Sequence, residues 1–175
     1  MRCVGFARLA VLWFCFAAGS AAADALLAWP SAWQVSRVPE VWDGNTEVVR
    51  ERGIKLAADG SQALVMELTR SRLGRQGEVD ALRVILQMRK SLQIDFLQQG
   101  FQAACSKPRE ARLGGLEGVM LVCSISQNGN EVMKQVLQVA LGEQAAYSLT
   151  YAAPVARYPE LAGEVEALKA GLQLR

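Results

Sequence analysis

Apolar and polar residues alternate along 33–38 (Trp-Gln-Val-Ser-Arg-Val), and runs 48–57 and 63–69 follow. A two-residue period belongs to strands with one face turned to a core. Pro39 is expected to end the first run. Between the second and third, Ala58-Asp59-Gly60-Ser61 contains the Asp-Gly pair of a tight hairpin. A polar connection over 70–77 then leads to a change of period. Across 78–99, Leu82, Ile85, Met88, Leu92 and Phe96 share one face of a helical wheel, with Arg83, Gln87, Lys90 and Gln98 largely opposite. Gly100 is the expected helix stop.

Beyond it the strand pattern returns, over 101–105, 118–127, 131–141 and 145–153. Asn128-Gly129 is the strongest short-range hairpin signal in the chain. Pairing across it places Met120, Val122, Met133, Leu137 and Val139 on one face and Leu121, Cys123, Ile125, Val132 and Val136 on the other. Both faces are apolar, so both need covering. In the last strand Tyr147, Leu149 and Tyr151 share a face, and from Tyr158-Pro159 a final helix carries Leu161, Val165, Leu168 and Leu172 on one stripe. These elements predict an α+β fold: an α/β/α sandwich whose antiparallel sheet is covered by helices on both faces.

Composition changes the picture at the amino terminus. Arg2 and Arg8 precede a short apolar run, 9–18, and Ala21-Ala22-Ala23 closes it. That is the layout of a secretory signal peptide cleaved before Asp24. Trp13-Phe14 ahead of Cys15 does not suit a lipid-modified cysteine. The run is too short to span a bilayer, and no later segment stays apolar long enough to do so. The predicted product, 24–175, is one domain of a soluble protein, periplasmic or secreted. Of 19 basic and 17 acidic residues in the chain, the leader removes two arginines and no acid. The remaining balance is neutral, which argues against a nucleic-acid partner.

Loss of Cys3 and Cys15 leaves Cys105 and Cys123, and in an oxidising compartment a disulfide between them is the default. Their midpoint falls at Leu113-Gly114-Gly115-Leu116, and a hairpin folded there sets the cysteines opposite each other. A redox pair is the weaker alternative, since no Cys-x-x-Cys motif or flanking histidine lowers either thiol pKa.

The order of elements resembles the PsbP/DcrB-like fold of exported and thylakoid-lumen proteins, mostly accessory or binding modules. More closely, the chain resembles a family of small secreted bacterial proteins carrying a domain of unknown function. The residues that carry this are Trp29-Pro30 with Trp33, Met88-Arg89-Lys90, the segment 100–105, Cys123 with Asn128-Gly129, and the segment 147–154. The resemblance implies a fold and a compartment and brings no active site.

The chain contains no histidine, which removes Ser-His-Asp and Cys-His catalysis and histidine-based metal sites. Neither phosphate-binding glycine motif is present, and no cofactor is expected. Lys90-Ser91 point to different parts of a helix surface, and the carboxylate pairs Glu164/Glu166 and Asp43/Glu47 fall in stretches expected to be exposed. Two features stand above this background. Trp29, Trp33 and Trp42 cluster near the amino terminus, either plugging an end of the sandwich or forming an aromatic patch for a partner. Residues 70–90 carry six basic and two acidic side chains. There Arg70, Arg72, Arg75, Arg83 and Lys90 form either an ordinary solvated face or a surface for an anionic protein, a polyanionic glycan or lipid headgroups. The leading expectation is a non-enzymatic exported accessory or binding module. A hydrolase using carboxylates or a Ser/Lys pair is the alternative from another class, and a structural role on the cell envelope is the third.

Overall fold

The computed structural model describes residues 27–42, 46–73, 79–172 and 174. The expected leader, Asp43, Arg75 and the side chain of Trp42 lie outside what is described.

The described residues form eight strands and two helices: β1 (Gln34–Trp42), β2 (Thr46–Leu56), β3 (Gln62–Arg72), α1 (Ala81–Gln98), β4 (Gln102–Cys105), β5 (Arg109–Leu113), β6 (Leu116–Gln127), β7 (Asn130–Leu141), β8 (Ala145–Pro154) and α2 (Tyr158–Ala170). All strands join one sheet in the order β1-β2-β3-β8-β7-β6-β4, with β5 also paired to β6. Every pairing is antiparallel. The expected α+β fold is the observed one, with a helix on each face.

The first expected strand is longer than its alternation indicated. It pairs with β2 from Gln34↔Ile54 to Trp42↔Thr46, straight through Pro39. Proline is tolerated there because β1 is an edge strand, where a missing N–H need not interrupt a ladder on its free side.

A larger correction concerns β6 and β7. Asn128 and Gly129, at φ 51° and 80°, make the expected turn. Two pairs later, however, Ser126↔Glu131 gives way to Ile125↔Met133. Val132 is the extra residue of a β-bulge, and its carbonyl instead accepts the N–H of Val155 at 3.0 Å. Because side chains alternate with period two, one inserted residue exchanges the faces of everything beyond it. Leu137, Val139 and Met133 therefore lie with Leu121, Cys123 and Ile125, while Val136 lies with Met120 and Val122.

The hairpin about Gly114 forms as expected. Leu113 pairs with Leu116, and Gly114 and Gly115 both take positive φ, 55° and 86°, a conformation few other residues adopt. Ser106-Lys107-Pro108 interrupts the strand, so β5 and β4 are two segments on the same edge of β6. Cys105 faces Cys123 across it, Cα–Cα 3.9 Å, and the two are disulfide-bonded.

Each face of the sheet has its own core. Helix α1 starts at Asp80, whose Oδ1 accepts the Leu82 N–H at 2.9 Å. It packs on β4, β6 and β7 through Ile85 and Leu92, against Leu121, Cys123, Ile125, Leu137 and Val139. Leu82, expected on this face, is instead 45% exposed, and Ala81 and Val84 pack there. The opposite face is covered by α2 through Val165 and Leu168, followed by Leu172 and Leu174. Beneath them lie Leu64, Met66 and Leu68 of β3, Tyr147, Leu149 and Tyr151 of β8, and Val136 of β7. Among the described residues no helix is long and apolar enough to cross a membrane.

Candidate functional site

A cleft of about 300 Å³ opens between α2 and the sheet. Strand alternation decides its floor. The residues of β3, β6 and β8 that point toward α2 include Leu64, Met120, Val122, Tyr151 and Ala153, and each lines the cleft. Helix α2 closes the other side with Leu161, Ala162 and Val165. Its start is set by Pro159 in the first turn, where a missing N–H costs nothing.

Polar groups converge at the mouth. Arg109 opens β5, immediately after the break at 106–108, and shares a row with Met120. Glu166 and Lys169 come from α2 and pair with each other at 3.0 Å. Arg109 has no acidic partner among the described residues. Tyr151 stacks near Tyr158, ring centroids 6.4 Å apart and 14° between planes. Lys134 lies 5.7 Å from the centre of the Tyr158 ring. Burial pushes the Tyr151 hydroxyl well above the ordinary tyrosine range; its hydrogen bond to Tyr158 and the nearby Glu166 charge act in the same sense, and Arg109 opposes them. The Tyr151 phenol thus stays protonated as a hydrogen-bonding group in an apolar wall. A concave apolar site with a few convergent polar groups is the usual form of a small-molecule site.

The tryptophans are placed elsewhere. Trp33 is 6% exposed and Trp29 half-buried, with ring centroids 5.5 Å apart. Trp29 Nε1 donates to Glu51 Oε2 at 3.2 Å, and Trp33 Nε1 donates to Glu164 Oε1 at 3.0 Å. Glu51 also faces Arg37 at 3.4 Å, and Glu164 is ion-paired with Lys55. The pair packs over Gly53, where a Cβ would meet the Trp29 ring at 2.2 Å. This corner ties the segment before β1 to the sheet and to α2.

The described basic residues do not meet on one face. Arg70 and Arg72 continue the α2-facing row of Leu64, Met66 and Leu68 in β3, paired with Tyr147 and Ala145, whereas Arg83 and Lys90 stand exposed on α1 across the sheet. Lys90 and Ser91 are both exposed, as is Glu47. Glu164 and Glu166, two residues apart on α2, serve the tryptophan corner and the cleft mouth respectively. Sequence reading missed Arg109 and Lys169, which line one cleft only because α2 packs over the sheet. The shared face of Tyr147 and Tyr151, with Tyr158 following, was the available signal. Among the described residues no group of three or more His, Cys, Asp or Glu is placed to hold a metal ion.

Fold and site together define a PsbP-like α+β domain with a covered apolar cleft. The solution structure of cyanobacterial PsbP (CyanoP) from Synechocystis sp. PCC 6803 is similar to this chain with a TM-score of 0.61 at 12% identity, covering 85% of each chain. The chain belongs to the family described as domain of unknown function DUF4946, which matches residues 24–174. LpqN of Mycobacterium tuberculosis, described as involved in cell envelope biogenesis, is similar at TM-score 0.47 and 19% identity, covering 84% of this chain and 80% of its own. No curated protein matches the sequence.

Proposed function

We propose that this protein is exported and works without catalysis, as a periplasmic or secreted binding module that holds a small apolar ligand in the cleft beneath α2. The observation that carries this reading is the composition of the cleft: apolar side chains from three strands and a helix, with an arginine, a tyrosine pair and one ion pair at its mouth. Export is supported by the family match, which begins at Asp24 directly after the expected cleavage site, and by the Cys105–Cys123 bond.

A small fluorophore that is neutral at pH 7, 1-naphthylamine, tests it. The exported protein should begin at Asp24 and bind the probe with a saturable emission increase at one site. Ala162→Trp, which fills the cleft from an exposed position on α2, should abolish binding without lowering the melting temperature. Unchanged binding in that variant, or none in the wild type, would refute the cleft as the site.

A further inference from the structure

The charges around the cleft select among apolar ligands. Its floor, built on Leu64, Met120 and Val122 with Val165 above, offers no partner to a polar group on the ligand's body. Of the charged groups lining it, Glu166 and Lys169 neutralise each other at 3.0 Å, which leaves Arg109 as a surplus positive charge. Arg109 stands on the cleft side because β5 alternation puts it there with Ala111 and Leu113, both packed in the α2-side core. It lies near enough to the Tyr151 hydroxyl to act on it electrostatically.

From these placements we infer that the cleft takes an amphipathic monocarboxylate, an aliphatic chain seated on the floor with its carboxylate on the Arg109 guanidinium beside the Tyr151 and Tyr158 hydroxyls. The inference rests on the cleft being a ligand site. Arginine suits a carboxylate because its planar fork donates two parallel hydrogen bonds. A single negative charge matches Arg109, the one cation lining the cleft without an acidic partner among the described residues. A doubly charged phosphate monoester would meet Glu166 as well, and an amine would be repelled by Arg109. The volume sets the size: at about 30 Å³ of liquid per water, 300 Å³ is the space of roughly ten waters, so a ligand of about ten to fifteen non-hydrogen atoms fits.

Decanoate, decanol and decylamine provide the test, titrated calorimetrically against the exported protein at neutral pH. Decanoate should bind at least tenfold more tightly than either of the others, and Arg109→Gln should erase that preference while leaving decanol within twofold. Arg112→Gln, which removes the next basic residue of β5 from the opposite face, should change nothing. If the three probes bind alike and Arg109→Gln leaves decanoate unaffected, the carboxylate assignment is overturned while the cleft remains a binding site. If no probe binds, or decanoate binding survives Ala162→Trp, the cleft itself is not the site and both readings fall.

Discussion

The half of the sheet made of β6 and β7, with β4 at its edge, is dry on both faces, whereas the half made of β2 and β3 is dry on one. In β7 the five successive residues Val136, Leu137, Gln138, Val139 and Ala140 are buried whichever way they point, toward α2 or toward α1. In β3, from Leu64 onward, only alternate residues are sealed. Leu64, Met66 and Leu68 lie beneath the α2-side core, while Val65, Glu67 and Thr69 on the other face are partly exposed. One antiparallel sheet thus follows two rules at once, because α1 is drawn to the apolar surplus of β6 and β7 and stops there. The cleft lies on the continuous side, where Met66, Tyr151, Val136 and Val122 of β3, β8, β7 and β6 form one unbroken row.

The largest expected contrast comes from truncating one side chain in each half. Leu121→Ala empties a fully buried position under α1 and should cost about 2–5 kcal/mol. Thr69→Ala, on the partly exposed face, should stay within about 0.5 kcal/mol. Urea unfolding of both variants measures this, and comparable losses would mean that α1 does not divide the sheet as described.

The disulfide sharpens the same division, since it ties β4 to β6 inside the doubly covered half. Its cysteines are 18 positions apart in sequence, for which the chain-entropy account gives about 3 kcal/mol. Replacing both cysteines by alanine should lower stability by this amount in thermal or urea melts. Hydrogen exchange should show the loss first in β4 and α1, with β1 and β2 little changed. Uniform loosening would indicate that the two halves unfold as one unit.

What could be read from the sequence follows the same line. The facing of Cys105 and Cys123 was legible to within one residue: the hairpin register at Gly114-Gly115 would set Cys105 against Ser124, and the break at 106–108 shifts β4 by one position so that it meets Cys123. The faces of β7 were not. The bulge at Val132 carries no glycine or polar residue to announce it, and it is settled by packing of the strand on two cores. Likewise the tryptophan cluster was visible, but its carboxylate partners Glu51 and Glu164 come from β2 and α2 and are joined to it only by the fold. The cleft was hidden for the same reason: Arg109, Tyr151 and Lys169 become neighbours through antiparallel pairing and the placement of α2.

A smaller effect is expected from pH. Tyr151 holds its proton more tightly in the folded protein than its ordinary value of 10.0, chiefly through burial. The unfolded chain therefore deprotonates first as pH rises. Stability should be full below about pH 10 and decline above it. Urea midpoints measured across that range should fall for the wild type and stay flatter for Tyr151→Phe. An identical alkaline decline in both proteins would place the sensitive group outside the cleft.

The smallest expected effect tests the partly exposed face itself. Arg50 and Glu67 approach to 3.3 Å across β2 and β3, with side chains 40% and 28% exposed, while Arg112 and Glu117 pair at 2.8 Å with side chains 72% and 84% exposed. Geometry alone would rank the shorter pair as the stronger. Solvent screening argues the reverse, because a pair largely in water gains little beyond the entropy lost in fixing two long side chains. Double-mutant cycles isolate each pairwise coupling from the other contacts of its members. We expect a few tenths of a kcal/mol, at most about 1, for Arg50 with Glu67, and a value near zero for Arg112 with Glu117. Raising the salt concentration should shrink the first and leave the second unchanged. A larger coupling at the Arg112–Glu117 hairpin would show that the face of β2 and β3 left beside α1 is as fully hydrated as the outer surface, and its polar pairs would then contribute nothing to the fold.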